Sequence, residues 1–131
     1  MILRSDLRKI ARARLRDAEA LFRSRRYDGA MYLCGYAVEI ALKARICRTL
    51  AWPGCPSTGG EFQNDQTFRT HNLDGLLRFS GVEERVKTTL MIEWSAVAAW
   101  DPEARYKPTG SATKQAAELM IASARVLLRA L

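Results

Sequence analysis

The chain has 131 residues, 27% of them charged, with a formal charge of +7. That length fits one domain with a real core, and no apolar run approaches the roughly 18 residues of a membrane span. Three cysteines, Cys34, Cys47 and Cys55, and a single histidine make a structural zinc site improbable and suit a reduced, cytoplasmic protein that carries neither metal nor cofactor.

The N-terminus opens Met-Ile-Leu-Arg and turns charged at once, without the pattern of a secretion signal. Spacing predicts a first helix from Ser5 or Asp6 to Arg25, with Leu3, Leu7, Ile10, Ala11, Ala18, Leu21 and Phe22 facing inward. Residues 1–26 hold nine basic against three acidic side chains, so most of the net charge sits in the first fifth of the chain. Arg4, Arg8, Arg12 and Arg16 step by four and keep to one broad face. Such a row suits a polyanion or an acidic partner; the plainer reading is a solvated helix face.

Tyr27-Asp28-Gly29 is expected to turn the chain, with Asp28 as N-cap, into a second helix ending near Leu50. Ala30, Leu33, Cys34, Ala37, Ala41 and Ala44 make a seam of small groups. Val38, Ile40 and Leu42 are apolar on the other sides, so this helix belongs inside a bundle. Glu39 in that setting needs a partner, and Lys43 stands four residues on in the favourable order.

Trp52 to Asn72 is a long irregular segment rich in Pro and Gly, with Gly59-Gly60 as a flexible turn. Asn72 caps a short helix from Leu73 to Phe79. A longer helix follows from Val82 to Trp100, with Val86, Leu90, Ile92, Trp94, Val97 and Trp100 as its apolar surface, and Asp101-Pro102 stops it. Glu83-Glu84 at its start serves the helix dipole. Ser111 or Thr113 opens the last helix, with Ala116, Leu119, Met120 and Leu127 inward. No strand is expected. The fold class is therefore all-α, an up-and-down bundle of four long helices and one short one.

No P-loop, dinucleotide loop, HExxH pair or GxSxG elbow occurs. His71 could transfer a proton in RNA cleavage, with Arg69 two residues away, but directly before the cap Asn72 it reads more simply as a backbone-bonding side chain.

The segment Tyr27–Ala44, the run Thr70-His71-Asn72-Leu73 followed by Leu76-Leu77, the later Trp94 and the pair Arg105-Tyr106 together resemble HEPN domains, the helical bundles found beside or fused to nucleotidyltransferases. The resemblance implies that Glu39 matches the family's acid on the second helix, and that Arg105 and Tyr106 match its RY pair. With Lys43 these line a groove in which Arg105 neutralises Glu39. Ribonuclease members carry an Arg followed four to six residues later by a His. Counted from Arg105 that slot falls at Gly110, Ser111 or Ala112, so the pattern is unmatched. The resemblance thus implies a non-catalytic binding module that partners a nucleotidyltransferase or holds nucleotide or RNA. The alternatives are an RNA-cleaving toxin of a toxin–antitoxin pair using His71, and a plain interaction scaffold. A homodimer is expected, from the family habit and from the surplus of apolar groups at Trp94, Trp100 and Leu127–Leu128.

Overall fold

The computed structural model describes residues 1–56 and 70–131. Most of the irregular 52–72 segment, with Gly59-Gly60 and Arg69, lies outside the described residues. Helix α1 spans Arg4–Arg23 and α2 spans Tyr27–Thr49. Three seven-residue helices follow, α3 at Leu73–Phe79, α4 at Glu83–Thr89 and α5 at Met91–Val97. A 3-10 turn at Pro102–Tyr106 leads to α6, Lys114–Ala130. The chain is an all-α bundle, as expected, with two departures. Ile2–Leu3 (β1) pairs antiparallel with Gly54–Cys55 (β2), a two-residue ladder that no alternating pattern announces. The expected fourth long helix is also broken at Leu90, whose backbone leaves helical geometry at φ −129° and ψ 35°. There the Thr89 hydroxyl donates back to the Arg85 carbonyl at 2.7 Å, a bond that bends helices.

The α1–α2 hairpin is the frame. Its turn lies at Ser24–Arg26 rather than at Tyr27–Gly29. Arg25 takes a left-handed φ of 59°. The Arg25 N–H donates to the Phe22 carbonyl and the Arg26 N–H to Leu21, which closes the end of α1 and releases Asp28 from capping. The small seam of α2 then lets α1 approach. Ala30, Cys34, Ala37, Ala41 and Ala44 are buried against it, while Leu33 is only partly covered. On α1 the buried stripe is Leu7, Ala11, Leu15 and Ala18. Leu3 and Ile10, expected inward, are exposed, because Leu15 and not Ile10 continues the phase of Leu7 and Ala11.

Helices α6 and α3 cover further sides of α2, and α5 packs on α6. Asn72 caps α3 by accepting from the Gly75 N–H, and Thr113 caps α6 by accepting from Ala116, both as the sequence predicts. The inward face of α6 is Ala117, Met120, Ile121, Ala124 and Leu127; Ala116 and Leu119 point out. Trp94 and Leu127 are core residues and Trp100 and Leu128 pack against the core, so these do not supply a spare apolar surface.

Candidate functional site on the exposed side of helix α2

Residues 32, 36, 39 and 43 recur at three and four positions, so Tyr32, Tyr36, Glu39 and Lys43 share one stripe of α2. Glu39 is only 4% exposed. A carboxylate so placed must be satisfied. Its Oε2 takes the Lys43 ammonium at 3.4 Å, the pairing that the spacing predicts. Its Oε1 meets the His71 Nδ1 at 2.5 Å. His71 therefore bonds a side chain and not the backbone, contrary to expectation: the turn before α3 is occupied by the Thr70 hydroxyl, which accepts the Asn72 N–H. The His71 side chain remains 55% exposed.

The stripe continues through aromatic contacts. Tyr36 stands edge-on to His71, with ring centroids 6.2 Å apart, and edge-on to Tyr32 at 5.2 Å. Trp100 closes over Tyr36 at 4.9 Å. The indole can descend that far because position 35 is glycine; a β-carbon there would overlap the ring. A hydrogen bond with Tyr32, together with burial, pushes the Tyr36 phenol up to about 12. The Trp100 Nε1 is buried with no hydrogen-bond partner among the described residues.

Arg105 and Tyr106 are both exposed on the 3-10 turn. The Arg105 guanidinium lies 4.7 Å from the centroid of the Tyr106 ring and donates to the Pro102 carbonyl. Hydrogen bonding to Tyr106 first, and to Tyr32 more weakly, holds its value above the usual arginine one. Arg105 thus reaches the stripe at Tyr32, whereas the partners of Glu39 are His71 and Lys43. The direct Glu39–Arg105 neutralisation expected from the sequence is replaced by this longer chain of groups. The reason is local: the 3-10 turn, capped by the Asp101 carboxylate on the Glu103 N–H, keeps Arg105 on its own carbonyl.

Beside the stripe, a cleft of about 270 Å³ opens between α2, α5 and α6, with Met31, Tyr32, Ala99, Trp100, Ala116 and Met120 among its walls. Its rim loop is held by Asp28, whose carboxylate accepts the Gly110 N–H at 2.7 Å and the Ala112 N–H at 2.8 Å. Those two bonds lower the Asp28 carboxyl below its ordinary value. Gly110, Ser111 and Ala112, the slot of the ribonuclease histidine, therefore form a clasped loop. Sequence reasoning missed Tyr32, Tyr36, Trp100 and Asp28. The four-residue spacing of Tyr32 and Tyr36, with Glu39 in phase, was the available signal.

Of the four arginines of α1, Arg4, Arg8 and Arg12 border two concavities, and Arg8 lines both. Arg4, Arg12 and Arg16 are exposed and Arg8 is partly buried. Arg4 and Arg8 line a groove with Arg48 of α2, while Arg12 borders a smaller pocket with Ala41 and Leu128. Among the described residues no group of His, Cys, Asp and Glu could hold a metal ion, and no helix is long and apolar enough to cross a membrane. Of the arrangements present, the α2 stripe offers aromatic faces, cationic donors and a carboxylate-bound imidazole within one connected surface. Neither the curated proteins nor the solved structures compared with this chain contain a match. A model of the HEPN domain matches residues 5–53, from the first turn of α1 through α2.

Proposed function

We propose that this HEPN-type bundle is a non-catalytic binding module that holds nucleotide or single-stranded RNA against the Tyr32–Tyr36–His71–Arg105 surface. The observation that carries the reading is the pairing of an exposed Tyr106 ring, 72% accessible, with the Arg105 guanidinium 4.7 Å from its centroid. Unpaired bases stack on aromatic and guanidinium planes, and cations track the backbone. The cleft beside Tyr32 suits one ring-sized group better than a drug-sized ligand. A nucleotidyltransferase is the protein partner this reading favours, as in the arrangements from which the family is known. The test uses exposed residues so that folding is spared: Tyr106→Ala and Arg105→Gln are each expected to weaken binding of a short single-stranded RNA by roughly tenfold, the loss of one stacking contact. Unchanged affinity in both variants would remove the reading.

A second reading has its own observation. Glu39 engages the Nδ1 of His71, which fixes the ring and leaves Nε2 as the nitrogen for proton exchange. An imidazole oriented by a carboxylate is the arrangement of a general base, here toward an RNA 2′-hydroxyl, as an RNA-cleaving toxin would need. Expression that arrests growth in wild type and not in His71→Ala would establish it. RNA left intact by the purified wild-type protein would discard it and leave the binding module standing.

A further inference from the structure

We infer that the opposite end of the bundle carries a second site, an anchor for the phosphates of an RNA backbone, built from Arg4 and Arg8 of α1 and Arg48 of α2. It extends the RNA reading above and depends on it for the ligand's identity. The two sites lie on different sides of α2. Arg48 is twelve residues beyond Tyr36, about 18 Å along the axis, and it faces the α1 side rather than the aromatic stripe.

The geometry is a groove of about 500 Å³ lined, among the described residues, by Leu3, Arg4, Ser5, Arg8, Arg48 and Pro53. Its walls are fixed by backbone. The Arg4 N–H donates to the Pro53 carbonyl at 3.0 Å, and the β1–β2 ladder locks Leu3 to Gly54. At the end of α2, Ala51 takes a left-handed φ of 55° and the Trp52 N–H returns to the Cys47 carbonyl at 2.7 Å. The guanidiniums therefore hang from a rigid frame, which lowers the ordering cost of binding.

Among the described residues this charge has no acidic partner. Arg14 pairs with Asp17 and Arg125 with Glu19, but among the described residues no ion pair neutralises Arg4, Arg8, Arg45 or Arg48. Arg45 stands behind the groove, donating to the Leu131 carbonyl, and its Nε is buried without a hydrogen-bond partner among the described residues. Burial, then the neighbouring Arg48, Arg85 and Arg8, hold the Arg45 guanidinium below its usual value. Like charges gathered around one groove repel one another, and an anion relieves that repulsion. Asp6, the acidic residue of the first turn, lies about 200° around the helix from Arg4. The first turn of α1 has no side-chain cap, so its backbone N–H groups add to the positive field. A guanidinium fork matches phosphate oxygens in pairs. Three forks on two walls of a concave groove fit successive phosphodiesters of a strand better than a flat plane of lipid headgroups.

The assignment separates residues that the spacing of four treats alike. Arg4, Arg8 and Arg48 are in; Arg12 and Arg16 are out. The experiment is a titration of a labelled short single-stranded RNA at several salt concentrations. The triple variant Arg4→Gln, Arg8→Gln, Arg48→Gln is expected to lose roughly tenfold or more in affinity. Its slope of log affinity against log salt should fall by about two, since each lost phosphate contact on a single strand removes about 0.7. The pair Arg12→Gln, Arg16→Gln should titrate like wild type. Replacing the same three arginines by lysine keeps the charge and should retain most of the salt slope, which covers the case in which the glutamine protein folds poorly. Mononucleotide binding at the Tyr106 surface should be unchanged in the glutamine triple; if that surface binds nothing in any protein, the groove's salt slope still decides this proposal. Equal losses in the triple and the Arg12/Arg16 pair would overturn it. So would anionic vesicles, or an acidic peptide, that bind through the three arginines while RNA does not.

Discussion

Glu39 shows how one residue's burial sets its chemistry. Removing it leaves Lys43, largely covered, and His71, half in water, without their shared acceptor. Glu39→Ala is expected to cost about 1–3 kcal/mol in urea unfolding, since the lost partner is buried but both cations keep some solvent. His71→Ala added to it should cost less than the sum of the two, because the same bond is lost twice. Arg105→Ala added to Glu39→Ala should be additive, because Arg105 donates to Pro102 and lies against the Tyr106 ring, while Glu39 is held by Lys43 and His71. Coupling between Glu39 and Arg105 in that cycle would contradict the arrangement. The pairing of Glu39 with Lys43 was legible from the spacing of four, and the apolar groups around Glu39 made its burial one of two readings. His71 was not legible as the second partner, because that contact exists only once α3 docks on α2.

At the scale of elements, the cap at Asn72 and the opening of the last helix at Ser111 or Thr113 could be read directly, since each acts within three residues, whereas α5 ends at Val97, ahead of the stop expected at Asp101. Features that depend on distant chain segments could not be read that way. Asp28 looked like an N-cap and instead binds a loop more than eighty residues away. Its lowered carboxyl gives a pH signature of definite sign. The clasp's contribution to stability is present above the unfolded carboxylate value, near about 4, and is lost as the pH falls through the lower folded value. Hydrogen exchange at the Gly110 and Ala112 amides should therefore be slow in wild type at neutral pH and fast in Asp28→Ala, with the difference shrinking in acid. Equal protection in the two proteins would mean the clasp is not made in solution. The second element-scale contact is Trp100 on Gly35. Gly35→Ala inserts a methyl group where the indole lies, and should destabilise by about 3 kcal/mol, an overpacking cost at the upper end of the usual range. Tryptophan fluorescence during unfolding reads it directly. A wild-type midpoint with unaltered emission would show that the ring has room to move.

For the whole molecule, composition and periodicity were enough for an all-α bundle and for the buried seam of α2. They misjudged which apolar groups remain outside. Trp94 and Leu127 fill the core, while Met91, Ile92 and Leu119 on α5 and α6 stand exposed, Ile92 at 76%. The phase error on α6 was one or two residues, enough to exchange Leu119 for Ile121. If the chain pairs as a homodimer, the expected state from its sequence, these exposed groups, Ile92 first, are the ones whose burial it would favour. Sedimentation at micromolar concentration should then give twice 14.8 kDa for wild type and the monomer mass for Ile92→Glu. A wild-type monomer ends the dimer proposal, and an Ile92→Glu dimer moves the interface elsewhere.

The break at Leu90 has a consequence for how such a chain can diversify. Helices of seven residues do not hold themselves, so α3 borrows its order from the long hairpin, α5 from α6, and α4 from its two neighbours. That hairpin is the stretch the family model covers. His71, Trp100, Arg105 and Tyr106 all lie outside it. The molecule is divided into a chassis and a set of fittings: the chassis presents tyrosines and one acid, and the fittings decide what those groups meet. A chimera that keeps residues 1–56 and exchanges the remainder for that of another such bundle should therefore keep the hairpin's architecture while taking on the ligand preference of the donor.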